Sequence, residues 1–213
     1  MSEQYDADYY LRGKSSGKSL YEDYHWLPDL TLPMARAIIN HAKIDAFDKV
    51  LDFGCARGYV VKAFREMGYD AWGVDVSEWA IKNCDSDVKH YVQWTYDSLP
   101  LQPQEFDWVI AKDVLEHVPN VADTIDTLMG VAKHGIFVVV PLAAVDGFQY
   151  VVPGYEKDVT HIHRFTLPTW ARGFIRPGWS AEARYRLKGV KDNYYQPGWE
   201  TGNGFITARR ITC

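Results

Sequence analysis

The sequence has little that would cross-link it, anchor it or attach it to a polyanion. Its three cysteines, Cys55, Cys84 and Cys213, are odd in number and form no C-x-x-C pair, the pattern of reduced thiols in a cytoplasmic protein rather than of a disulfide framework. No apolar run approaches the ~20 residues that a membrane-spanning helix needs; GIFVVVPLAAV is among the longest. The opening MSEQYDADYY carries acids and no apolar core, unlike a signal peptide. There is also no basic block. The 23 Lys and Arg stand against 28 Asp and Glu, for a net charge of −5 and a pI near 5.8. Because affinity for nucleic acid comes mainly from phosphate neutralisation, a nucleic-acid partner is not expected. No repeat, low-complexity tract or Pro/Gly-rich linker divides the 213 residues, so 1–213 reads as a single domain, long enough to bury its own core.

Aromatic side chains, by contrast, are abundant, with 8 Trp and 14 Tyr, which suits a large core and an aromatic-lined pocket. Residues 1–27 are irregular and punctuated by tyrosine and glycine. A helix is expected over PDLTLPMARAIINHAKI, with Leu30, Met34, Ala37, Ile38 and Ala42 on one face. These two parts make an N-terminal portion, 1–44, ahead of an α/β core at 45–213. In the core KVLDFG, DAWGVDV, KHYVQW, FDWVIAK and GIFVVVPL read as strands. YVVKAFREMG, ended by Gly68, SEWAIKNC, opened by Ser77 as N-cap, and NVADTIDTLMGVAKH read as helices. Strands that are apolar throughout and alternate with helices imply a parallel sheet covered on both faces. AEARYRLKGV and GFITARRIT are strand-like with no clear helix between them. The expected fold is α/β: a doubly wound, mostly parallel seven-stranded Rossmann-like sheet with an antiparallel C-terminal edge.

The loop after the first strand, in VLDFGCARGY, sits where open α/β sheets bind ligands. A dinucleotide fingerprint would need glycine at 54, 56 and 59, but positions 56 and 59 hold Ala56 and Tyr59. The spacing D-x-G-x-G-x-G fits better, through Asp52, Gly54 and Gly58. Ala56 takes the middle glycine's place, a change that a negative φ there would tolerate. VLDFGCARGYVVKAFREMGYDAWGVDVSEWAI resembles the cofactor half of class I S-adenosylmethionine-dependent methyltransferases. That resemblance implies S-adenosyl-L-methionine as cofactor, bound by Asp52, Gly54, Cys55, Ala56, Gly58, Asp75 and Val76. Asp75, the acid ending the second strand, would accept the ribose hydroxyls, and Asp52 would hold the loop or meet the cofactor's cationic amino-acid end. DSLPLQPQEFDWVIAKDVLEHV resembles the family's approach to the fourth strand. It places Lys112, Asp113 and Val114 beside the methionine portion and the methyl group. Thr95 and Tyr96 fall where the family meets adenine. The acid usual there is absent, so stacking on Tyr96 or Trp94, or help from Asp97, would replace it. The resemblance covers roughly residues 45–175.

In methyl transfer the electrophile arrives with the cofactor, so the protein must position the nucleophile and, for a hydroxyl, remove its proton. The segment VVPGYEKDVTHIHRFTLPTW resembles the D-x-T-H-x-H-x-F-T stretch of small-molecule and glycan methyltransferases, which implies a place at the acceptor pocket. His161 is the first choice of base and His163 the second, with Asp158 orienting either ring. Glu116 and His117 open a helix, where an acid is favoured by the dipole; structural or cofactor-loop roles suit them, and His117 is a weaker base candidate. D-x-x-H-x-H also fits metal ligands, but no further ligand cluster stands out and no metal is expected. Tyr9, Tyr10 and Tyr24 would close over the site as a lid or pack against the sheet. The expected function is a cytoplasmic methyltransferase acting on a small-molecule or glycan acceptor, with oxygen the favoured atom, as a monomer or homodimer without membrane contact. One rival is methylation of nucleic acid or protein, disfavoured by the acidic charge and by KDVL where amino-methylating DNA enzymes carry N-P-P-Y or D-P-P-Y. The other is a non-catalytic S-adenosylmethionine-binding partner subunit, which would bind the cofactor without turnover.

Overall fold

The computed structural model describes residues 2–95 and 101–211; Tyr96, Asp97 and Cys213 lie outside the described residues. Strands β1 (Lys49–Phe53), β2 (Asp70–Asp75), β3 (Val92–Trp94), β4 (Phe106–Lys112) and β5 (Ala132–Pro141) are parallel; at the far edge β7 (Asn203–Arg210) pairs antiparallel with both β5 and β6 (Trp179–Arg184), so β7 alone runs against the other six strands. The order β3-β2-β1-β4-β5-β7-β6 reverses between β1 and β4. At that switch point the carboxyl ends of both strands open on a crevice. The interior strands bury almost every side chain because helices cover both faces, so they read as unbroken apolar runs.

One face packs against α3 (Pro28–Ala42) and α4 (Tyr59–Glu66), with Ile38, Phe64, Val61 and Phe137 fully buried. The other packs against α6 (Val121–Val131) and α7 (Leu167–Arg172), around Leu128, Trp170 and Phe174. The inner stripe of α3 is Thr31, Met34, Ala35, Ile38, Ile39 and Ala42, one position round from the expected face: Leu30 is 60% exposed and Ala37 only half buried. An apolar side chain at the surface is common, so Leu30 misplaced the stripe. Helix α6 ends at Val131, not His134, because Ala132 already pairs with Phe106 as β5 begins. Strand β6 stops at Arg184, and beyond it only an isolated bridge, Leu187 to Val190, remains of the longer strand expected.

The N-terminal residues hold two short helices, α1 (Ala7–Leu11) and α2 (Gly13–Ser16). Asp6 caps α1 by accepting the Tyr9 N–H. Tyr10 stacks on Trp79 of α5 (Glu78–Lys82) at 5.5 Å, and the Ser77 hydroxyl, which also caps α5, donates to the Tyr5 carbonyl. These contacts lay the segment across the carboxyl ends of β1 and β2. Cys55 and Cys84 are free thiols. Among the described residues no helix is long and apolar enough to cross a membrane.

Candidate active site

The carboxyl ends of β1, β2 and β4 open on a cavity of about 630 Å³, within the range of small-ligand sites. Its floor is the glycine loop. Gly54 adopts φ +77°, and a Cβ there would overlap the Val114 side chain, so only glycine lets the loop lie this close to the start of the next one. Ala56 is also left-handed, at φ +48°; the middle position adopts a glycine conformation, the case in which the alanine methyl carries a cost. The N–H groups of Gly54 and Cys55 both donate to the Val74 carbonyl, at 2.8 and 3.0 Å. Asp75 holds the rest: Oδ2 accepts the Ala56 N–H and Oδ1 the Ser77 N–H, each at 2.7 Å.

Asp52, Gly54, Cys55, Ala56, Asp75, Val76, Thr95, Lys112, Asp113 and Val114 all line the cavity. Gly58 does not. It caps α4 at φ +76°, packed toward Val92 and Val88. Trp94 lies at the surface, its indole N–H donating to the Val76 carbonyl. Burial raises the Asp52 carboxyl to about 7, with Lys112 opposing, and Asp75 to about 6, with its two N–H donors opposing. Burial also pushes the Cys55 thiol well up, which makes it a packing residue rather than a nucleophile.

Asp113, at φ +55°, carries the next feature. Lys112 and Lys191 both bind its carboxylate, and Lys191 Nζ also donates to the Tyr155 hydroxyl and Asn203 Oδ1, each at 3.2 Å. Burial works to raise Asp113, but the two ammonium groups outweigh it and hold the carboxyl well below its ordinary range. Lys191 comes from the β6–β7 connection and belongs to no motif, so sequence reasoning missed it.

The histidine segment lies behind the cavity wall rather than on it. The residue that lines the cavity is His117. Its Nδ1 is 2.7 Å from Thr160 Oγ1, and Thr160 donates its hydroxyl (2.6 Å) and its N–H (3.0 Å) to Asp158 Oδ1. The Tyr9 hydroxyl donates to the other oxygen of Asp158, at 2.9 Å. His161 packs against His117 with ring centroids 4.7 Å apart. Its Nε2 is 3.9 Å from both Asp158 and Glu116, beyond hydrogen-bond reach, and its Nδ1 is buried without a partner. His163 turns away, donating Nε2–H to the Val118 carbonyl at 2.7 Å and stacking on Phe165; this is a tether between loops.

Burial pushes His117 down to about 4, and His161 beside it pushes the same way. His161 is lowered by burial too, against Asp158 and Asp113. Glu116 is 1% exposed, and burial followed by Asp113 raises it well above the carboxylate range, with Oε2 unpartnered. Glu116, His117 and His161 each bring a ligand atom within 4.8 Å of the others, a cluster the sequence did not reveal. A cation there would require Glu116 to ionise against its burial.

The profile of the methyltransferase domain family matches residues 26–182. This chain belongs to that family. It is a methyltransferase, and its cofactor is S-adenosyl-L-methionine. Two similar curated proteins are ubiquinone biosynthesis O-methyltransferases. The one from Methylococcus capsulatus is 28% identical over 162 residues, 70% of this chain and 68% of its own length. The one from Pseudomonas aeruginosa is 30% identical over 162 residues, 70% and 69%. Among solved structures, a SAM-dependent methyltransferase from Archaeoglobus fulgidus aligns with a TM-score of 0.66 at 19% identity, over 86% of this chain and 95% of that one. The [4+2]-cyclase SpnF aligns at 0.68 and 16% identity, over 100% and 96%. These likenesses concern the fold. Since a cyclase shares it, what this methyltransferase does to an acceptor has to be argued from its site.

Proposed function

We propose that this methyltransferase moves the methyl group of S-adenosyl-L-methionine to a hydroxyl of a small-molecule or glycan acceptor, with His117 as general base. The observation that carries the reading is that His117 alone of the candidate bases lines the cavity, beside Asp113 and Val114 and with Nδ1 bound to Thr160. The donor set suits the cofactor. Two buried carboxyls, Asp52 and Asp75, face the cavity with raised affinity for protons, and a ligand bringing an ammonium group and ribose hydroxyls offers positive charge to Asp52 and further donors to Asp75 beside its two backbone N–H groups. Bound there, the cofactor supplies an activated methyl group that needs no further help from the protein.

The protein's part is then positioning and proton removal. Lys112, Asp113 and Val114 shape the wall where acceptor and methyl would meet. A neutral imidazole takes the hydroxyl proton as the oxygen attacks, and a weakly basic one acts in concert with transfer rather than before it. The O-methyltransferase relatives support oxygen as the acceptor atom. The net charge of −5 speaks against a nucleic acid, and the unpaired cysteines favour a cytoplasmic enzyme, working as a monomer or homodimer.

Calorimetry with S-adenosylmethionine and S-adenosylhomocysteine tests the cofactor site: Asp75→Ala is expected to weaken both, and undiminished binding would overturn the assignment. Turnover over a panel of phenols and free sugars, read as S-adenosylhomocysteine release, tests the base. His117→Ala is expected to bind cofactor and lose turnover. Turnover abolished by EDTA and restored by a divalent cation would instead make Glu116, His117 and His161 ligands.

A further inference from the structure

Tyr9 and Asp158 are 149 positions apart, yet their buried side chains meet at 2.9 Å. We propose that Tyr9, Asp158 and Thr160 form one hydrogen-bonded chain that fixes His117 as its Nδ1–H tautomer, and that the N-terminal segment completes this chain by lying over the cavity. The role of the chain in catalysis rests on His117 being the base; the tautomer itself does not.

Counting donors gives the direction of every bond. Asp158 Oδ1 accepts both the Thr160 N–H and the Thr160 hydroxyl, the latter at 2.6 Å, so the single hydroxyl proton of Thr160 is committed to it. With that proton committed, Thr160 Oγ1 can meet His117 Nδ1 at 2.7 Å only as an acceptor. His117 therefore carries its proton on Nδ1, and the lone pair is left on Nε2. The other tautomer would present an N–H to an acceptor hydroxyl and could take no proton from it. Thr160 is well placed to enforce this, because its own N–H is also bound to Asp158 Oδ1 and closes a tight turn that fixes the hydroxyl.

Tyr9 holds the far end. Its phenol is buried and pushed well above its ordinary value, first by that burial, so it remains a donor toward Asp158 Oδ2. Without it that oxygen would be buried with no partner, and the carboxylate would be free to swing toward His161, 3.9 Å away. Tyr9 belongs to the same segment whose Tyr5, Tyr10, Tyr21 and Tyr24 wall the cavity. Covering the cofactor and orienting the base are thus a single event, and Tyr9 is a positioning residue for it.

The test uses full-length protein labelled with [15N]histidine, with the His117 signal identified by its loss in His117→Ala. Wild type is expected to show the Nδ1–H pattern in long-range 1H–15N spectra. Thr160→Val is expected to move His117 to a mixed or Nε2–H pattern, and Thr160→Ser, which restores the hydroxyl, to keep it. Tyr9→Phe retains the ring on the cavity wall; it is expected to mix the tautomers and lower kcat about tenfold, the low end of a general-base contribution, with KM for S-adenosylmethionine within about twofold. Thermal melts of Thr160→Val and Thr160→Ser separate misfolding from loss of the hydroxyl. An Nε2–H signal in wild type, or an unchanged tautomer in Thr160→Val, would overturn the chain. An unchanged tautomer and kcat in Tyr9→Phe would remove the N-terminal segment from it. If the tautomer behaves as stated while His117→Ala still turns over, the chain stands and the base assignment fails.

Discussion

Asp75 accepts the backbone N–H of Ala56 at 2.7 Å while Ala56 is held at φ +48°, a conformation that an alanine adopts only at a cost. The carboxylate and the left-handed residue belong together, since the turn that brings this N–H to Asp75 is the one that strains the alanine. Ala56→Gly is therefore expected to stabilise the protein by about 1 kcal/mol, the strain relieved outweighing the entropy added to the unfolded chain. At this chain length that raises Tm by about 2–4 °C. Scanning calorimetry checks it, and cofactor affinity should stay within about twofold because the loop keeps its path. A lowered Tm would mean that the strain is absent.

The neighbouring glycine should behave in the opposite way. At Gly54, φ +77° and the Val114 side chain both exclude a Cβ. Gly54→Ala is expected to lose about 2–3 kcal/mol from backbone strain and overpacking together. Val114→Ala would relieve only the steric part, so a double-mutant cycle in urea should return a coupling of about 1 kcal/mol. Strict additivity would show that the two residues do not meet.

The buried carboxyls give a pH signature whose sign runs against the usual one. Asp52, near 7, and Asp75, near 6, keep their protons in the folded, ligand-free protein over a range where the unfolded chain has lost them. Their contribution is fully present below about pH 4 and is lost as pH rises through 6 and then 7. For Asp75 the loss is on the order of 3 kcal/mol. Urea melts of the ligand-free protein should show this contribution falling between pH 5 and pH 8, and Asp75→Asn should flatten the slope. A cofactor carrying positive charge favours the ionised carboxyls, so its thermal shift should be larger at pH 8 than at pH 5.5. A shift that shrinks with rising pH would contradict the placement of cofactor against these two acids.

The parts legible in the sequence are those with a local physical pattern. β1, β4 and β5 are apolar throughout because helices cover both faces. The glycine loop is legible because Gly54 follows an apolar strand where the backbone must approach closely and Gly58 opens the next helix, and Asp75 because it ends the next strand; their tie to the cofactor rests on the family resemblance. What failed to show was side-chain reach across the fold. D-x-T-H-x-H drew attention to its histidines, yet Thr160 is the member that hydrogen-bonds the cavity-lining His117, 43 positions earlier. The short helices of the first residues were hidden for a related reason. A single turn of helix leaves no periodicity to read; α1 is held by the Asp6 cap and by Tyr10 stacking on Trp79, and α2 by the Lys14 N–H donated to the Tyr21 carbonyl.

Lys191 is the clearest case of such reach, and its removal has a definite consequence. Its ammonium, with 9% of the side chain exposed, joins Asp113, Tyr155 and Asn203 from the irregular β6–β7 connection. Lys191→Met keeps most of the apolar stem but removes three donated hydrogen bonds, leaving Lys112 as the one cation on Asp113 among the described residues. A cost of about 2–4 kcal/mol is expected, less than for a pair wholly broken because Lys112 remains. The pH dependence identifies the cause. A carboxyl held below its ordinary value contributes stability above the unfolded value near 4 and loses it as pH falls through its folded value. Weakening the hold on Asp113 brings that loss nearer to neutrality, so acid unfolding followed by circular dichroism should begin at a higher pH in Lys191→Met than in wild type. An acid limb left in place, with stability lowered equally at every pH, would show that Lys191 acts through packing alone and that Lys112 is sufficient to hold Asp113 ionised.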